Sequence, residues 1–221
     1  MTYAQPVPKP RRASSFMQIL SIPWVDKTIA IIAVLPNTIE LYHRFSSGSL
    51  NMVRAILGIQ VLILIVTMVI RRTPVRVTPN PWFWLLAFVA SYGIFAFTAF
   101  APNGVMLVPP LIINVLAFVS LAVFIFARLS LGRSIGFVPA NRGIITTGAY
   151  RFVRHPIYTG MFIALLGFVL RSYSPLNLIL ASTLILLFMI KSVVEESFLS
   201  EDPEYAAYLR RVRWRWLPGV A

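Results

Sequence analysis

The chain has 221 residues, of which 58% are hydrophobic and only 12% charged, with 20 Lys and Arg against 7 Asp and Glu. Its apolar residues fall in blocks rather than at amphipathic spacing, which excludes an ordinary soluble domain and predicts a polytopic, all-α integral membrane protein. The net charge of +13 suits loops facing anionic lipid, so nucleic acid is not expected as a partner. The absence of cysteine removes disulfides, thiolate zinc sites and thiol catalysis, and with two distant histidines no metal site is expected.

Residues 1–23 are basic and Pro-rich and read as a cytosolic tail rather than a signal peptide. Residues 24–131 hold four predicted spans. The first, Trp24 to Tyr42, is interrupted by Pro36, Asn37 and Glu40, which predicts a kinked or partly interfacial helix. The second, Leu50 to Ile70, stops at Arg71-Arg72, and the third runs from Pro81 to Phe100 with Trp82 and Trp84 at interface height. The fourth, Val105 to Leu131, carries Pro109-Pro110 near its start, where a bend or delay is expected.

Residues 132–221 hold a central loop, a hairpin of two spans (Ile157 to Leu170 and Pro175 to Val194) and a C-terminal helix. In that last helix Asp202 and Pro203 form a start signal, and Tyr205, Tyr208, Leu209, Val212 and Trp216 share one helical stripe. The pattern predicts an amphipathic helix lying at the membrane surface. With six spans and both termini cytosolic, sixteen of the 20 cations lie inside, Arg44, Arg54 and Arg171 lie outside, and Lys27 is undecided. This arrangement places the central loop and the C-terminal helix on the same cytosolic face.

The central loop, Arg142 to Gly160, is where chemistry is expected. Gly143, Gly148, Gly160 and Pro156 impose an irregular backbone, and three arginines and His155 are concentrated in it. Arg142, Arg151 and Arg154 can bind carboxylates, and His155 can donate or accept. Taken singly, each arginine is explained as a lipid-headgroup residue and His155 as a structural histidine. The adjacent acids Glu195 and Glu196 follow the last span, and Lys191 stands four residues before Glu195, where a helix ion pair is expected.

The run Thr146-x-Gly148-x-Tyr150-Arg151-x-x-Arg154-His155-Pro156-x-Tyr158-x-Gly160 resembles the signature of the isoprenylcysteine carboxyl methyltransferase family, which is related to the phospholipid N-methyltransferases. The resemblance covers Leu131 to about Pro218 and takes in the hairpin, the Glu195-Glu196 pair, Tyr205-x-x-Tyr208 and Leu217-Pro218. Asn141-Arg142-Gly143 stands where the family usually has a histidine, and Gly148-Ala149-Tyr150 where it often has Gly-Pro-Tyr.

The resemblance implies an S-adenosylmethionine-dependent membrane enzyme with its site at the cytosolic face. Its cofactor would be lined by Arg142, Ile145, Thr146, Gly148, Tyr150, Arg154, His155, Pro156, Tyr158, Gly160, Glu195 and Glu196. Arg154 or Arg211 would orient the acceptor, and Glu195 or Glu196 would face the cationic cofactor. The expected acceptor is lipophilic: a prenylated cysteine carboxylate, a small hydrophobic acid or a lipid amine. An NADPH-dependent sterol-type reductase and a non-enzymatic membrane protein are the competing readings. No obligate protein partner is implied.

Overall fold

The computed structural model describes residues 22–46 and 52–219. The N-terminal tail, with Lys9, Arg11 and Arg12, lies outside the described residues. Seven α-helices are present among them: α1 (Pro23–Ser46), α2 (Met52–Val69), α3 (Pro81–Phe100), α4 (Pro110–Leu131), α5 (Pro156–Arg171), α6 (Pro175–Leu199) and α7 (Pro203–Arg211). The chain is mostly helical, as its apolar blocks predict. The helical stretch Pro110–Ser134 and helix α6 are long and apolar enough to cross a membrane, and α5 is apolar but shorter.

Proline sets most of the helix starts. Pro110, Pro156, Pro175 and Pro203 each occupy the first turn, where the missing N–H has no helical partner to lose. The fourth helix therefore begins at Pro110 and not at Val105. Residues ahead of it run extended, and Val105 exchanges backbone hydrogen bonds of 2.9 and 2.8 Å with Tyr173 in the α5–α6 turn. Helix α6 runs on to Leu199, past the expected end at Val194, so Glu195 and Glu196 are helical residues.

The most extensive helix pairing is α4 against α5. It is close because Gly160 has no side chain: a Cβ there would sit 3.0 Å from the Phe124 ring and 3.2 Å from the Ser120 carbonyl. The Ser120 hydroxyl donates to the Gly160 carbonyl across the crossing at 2.8 Å. Helix α1 packs on α2, α3 packs on α6, and α5 and α6 form the expected antiparallel hairpin.

One pairing departs from the all-α expectation. The strands β1 (Arg76–Val77) and β2 (Ala140–Asn141) pair antiparallel, Arg76 opposite Asn141, and fasten the α2–α3 connection to the central loop. The C-terminal segment also departs from expectation. Helix α7 stops at Arg211, Val212 is extended, and Trp216 is not on the helical stripe. The apolar face of α7 is occupied by protein, because Tyr205, Tyr208 and Val212 pack with Ile144, Tyr150, Leu199 and Leu209. The stripe is therefore turned towards the central loop and the end of α6.

Candidate functional site

A cavity of about 1130 Å³ opens between α4, the central loop, α5, α6 and α7, and is also lined by Asn37 of α1, Leu64 and Met68 of α2 and Ser91 of α3. Its polar wall is made by Arg128, Tyr150, Arg154, His155, Tyr158, Lys191 and Glu195, with Tyr205 and Tyr208 beside them. An apolar limb continues between α4 and α5 past Phe118, Met161 and Gly167 to Arg171.

The two glutamates divide. Consecutive helical residues point about 100° apart, and here that angle separates cavity from scaffold. Glu195 faces the cavity, where both its oxygens accept from the Tyr158 hydroxyl at 2.9 Å and Lys191 Nζ lies 3.6 Å away. Among the described residues it is the only carboxylate lining the cavity. Glu196 is outside the cavity wall and saturated: Arg215 binds both its oxygens at 3.1 and 3.0 Å, Arg154 Nη1 lies at 3.2 Å and His155 Nε2 at 3.1 Å.

These contacts fix the C-terminal segment over the loop. The amides of Arg154 and His155 donate to the carbonyls of Trp214 and Arg215, each at 2.9 Å. The Arg154 guanidinium also donates to the carbonyls of Val212 (2.7 Å) and Leu209 (3.1 Å). Thr159 donates its hydroxyl to the Trp216 carbonyl, and Trp216 Nε1 donates to Ser192. The sequence signals for this seam are Arg154-His155 and Arg215, but nothing local says that Glu196 joins them. The hydrogen bonds that Arg215 donates to the Glu196 carboxylate hold its guanidinium above its ordinary pKa.

Among the other expected site residues, Arg142, Ile145, Tyr150, Arg154, His155 and Tyr158 line the cavity. Arg142 is nevertheless spoken for, with both terminal nitrogens on Asp26 at 2.8 and 3.1 Å. Gly148 (φ +60°) turns the loop beneath α4, where a Cβ would collide with Ser130, and Pro156 starts α5. Thr146, Gly148, Pro156, Gly160 and Glu196 support the wall without lining it, and Arg211 is exposed away from it. Burial pushes the phenols of Tyr150, Tyr205 and Tyr208 up from their ordinary pKa, so all three are neutral, and the Tyr208 hydroxyl donates to the Tyr150 carbonyl at 2.7 Å.

Two residues were not singled out as site residues by sequence. Lys191 is buried in the wall between Glu195 and Ser91 and lies 5.5 Å from the Tyr158 ring centre. Arg128, read from sequence only as a topology cation, lies over the Phe124 ring at 5.0 Å. Its Nε and Nη1 are buried and have no hydrogen-bond partner. Two buried guanidinium nitrogens without a partner carbonyl or carboxylate are costly, and Arg128 lies in the cavity wall. A cation inside a predicted span was the available signal.

Among the described residues the site thus offers one cavity-facing carboxylate, the Arg128 guanidinium with Nε and Nη1 unpartnered, aromatic walls and an apolar limb. No curated protein matches the chain. Residues 111–204, which include α4, the central loop, the hairpin and both glutamates, match the family model described as phospholipid methyltransferase. The resemblance read from the loop and hairpin is borne out at the level of that family, to which residues 111–204 of this chain are similar.

Proposed function

We propose that the protein transfers a methyl group from S-adenosylmethionine to a lipophilic acceptor, with carboxylate O-methylation as the reaction. The observation carrying this reading is the pairing, in one cavity, of Glu195 with the unpartnered Arg128. The donor set suits the cofactor: Glu195 for its cationic groups, and Tyr150 and Tyr158 for an aromatic base. When bound, the cofactor supplies an electrophilic methyl group.

The residues do the rest by placement. Arg128 seats the anionic head of the acceptor, and the apolar limb between α4 and α5 takes its tail. A carboxylate is already a nucleophile, so no residue has to remove a proton, and positioning with exclusion of water is sufficient. A lipid amine is the second reading, favoured by the fact that Glu195 is a carboxylate open to the cavity. It would have to take the amine's proton there.

In this reading α1 to α6 are membrane spans, with the termini and the site at the cytosolic face. The exposed Ile31, Ile32, Leu35, Leu85, Val89, Phe118, Ile179 and Leu186 then face lipid.

Calorimetry of S-adenosylhomocysteine and of NADPH with the detergent-purified protein tests the proposal. Expected is binding of the homocysteine product alone, weakened at least tenfold by Glu195→Gln in a folded variant. Binding of NADPH alone would move the protein to the reductases. Binding of neither ligand to a folded wild type would end the enzymatic reading.

A further inference from the structure

Helix α1 lies outside the matched region, yet one of its residues grips the central loop. Asp26 is buried at 3% exposure and binds two arginines, each in a fork. Arg71, just past α2, contributes Nε at 3.1 Å and Nη2 at 2.7 Å; Arg142, in the loop, contributes Nη1 at 3.1 Å and Nη2 at 2.8 Å. Around them the end of α2 is closed by cations. Lys27 donates to the carbonyls of Val69 and Arg71, Arg133 to that of Ile70, and Arg142 to that of Arg72. Four successive carbonyls thus take a side chain from α1, from the end of α4 or from the loop.

The neighbouring residue pulls the loop the other way. Asn141 Nδ2 donates to Asp202 Oδ2 at 2.8 Å, while Asp202 Oδ1 accepts the Glu204 amide and so caps α7. Residues 141 and 142 are therefore strung between two carboxylates, one on α1 and one at the start of α7. The loop immediately beyond them presents Ile144 and Ile145 to the cavity. Ile144 also packs on Tyr205 and Tyr208.

We propose that Asp26 is a positioning residue for the cavity, holding Arg142 so that Ile144 and Ile145 form its wall. As a statement about methyl transfer this rests on the function proposed above. Without the carboxylate, Arg71 and Arg142 are two buried like charges with no counterion, and Arg142 belongs to the segment free to leave. The first helix is then part of the site and not a membrane anchor alone.

Asp26→Asn, Asp26→Glu and Asp26→Asn/Arg142→Gln in the full chain, with hydrogen exchange and S-adenosylhomocysteine affinity as readouts, test it. In Asp26→Asn, exchange of amides 142–148 is expected to rise at least tenfold while the α4–α5 helices stay protected. Affinity should fall about tenfold, the conservative Asp26→Glu should recover part of it, and the double variant should be no weaker than Asp26→Asn, as residues acting through one contact require. Unchanged loop exchange, a uniform rise through all helices, or a loosened loop with unchanged affinity would each overturn the proposal. A wild type that binds no homocysteine product would instead sink the methyltransferase reading, and loop exchange would still decide whether Asp26 holds the loop.

Discussion

Glu195 and Glu196 are adjacent on α6 and serve different parts of the molecule. The first accepts from Tyr158 and faces the cavity; the second is bound by Arg154, His155 and Arg215 and closes the C-terminal segment over the loop. Their neutral variants should separate accordingly. Glu196→Gln strips charge from a mostly buried cluster and is expected to cost about 2 kcal/mol. Glu195→Gln removes the carboxylate beside buried Lys191, but it should cost less stability than Glu196→Gln and weaken ligand binding. Melting curves and calorimetry on the two variants check this, and the opposite assignment of effects would reverse the roles given to the two acids.

Arg128→Met should uncouple stability from function. The guanidinium is buried without a protein hydrogen-bond partner at Nε or Nη1, so replacing it with an apolar side chain of similar length relieves a desolvation cost. Unchanged or raised thermal stability is expected, together with a loss of acceptor affinity of roughly 10- to 100-fold, the size of a charge-assisted hydrogen bond. A destabilised variant that still binds acceptor would show that Arg128 is structural.

Gly160→Ala tests the α4–α5 crossing. Its Cβ would press on the Phe124 ring and on the Ser120 carbonyl, and backbone cannot give way as a side chain can. Overpacking of this kind costs about 1–3 kcal/mol. Unaltered melting would mean the helices can separate freely, contrary to the geometry.

Trp216→Ala should free the C-terminal segment. Trp216 is buried in a cluster with Ala90, Tyr158 and Phe188, and its Nε1 donates to Ser192 at 3.2 Å. Truncation is expected to cost about 3 kcal/mol and to loosen the backbone enough for trypsin to cleave at Arg210, Arg211 and Arg213, which are already exposed. Resistance to cleavage equal to wild type would show that the backbone seam at Arg154 and His155 holds the segment without it.

Much of the local structure was legible in the sequence, because it depends on local chemistry. Apolar blocks bounded by cations gave the helices, and proline placed most of their starts by removing an N–H that the first turn does not use. Asp202 capped α7 as its sequence signal required. The loop and glutamate motifs located the candidate site, and the match over residues 111–204 covers most of it.

What the sequence could not supply were meetings between distant residues. Asp26 with Arg142, Asn141 with Asp202 and Glu196 with Arg215 each depend on how helices pack, and no local pattern encodes them. The same holds for the contrast between the two acids, since a step of one residue along a helix sends Glu195 to a cavity and Glu196 to a buried ion cluster. Arg142 and Arg128 look alike as residues of a cationic chain, yet tertiary structure gives the first a carboxylate and leaves Nε and Nη1 of the second without a partner. Residue type fixes which charges exist; packing alone decides which of them are already neutralised and which remain to bind a ligand.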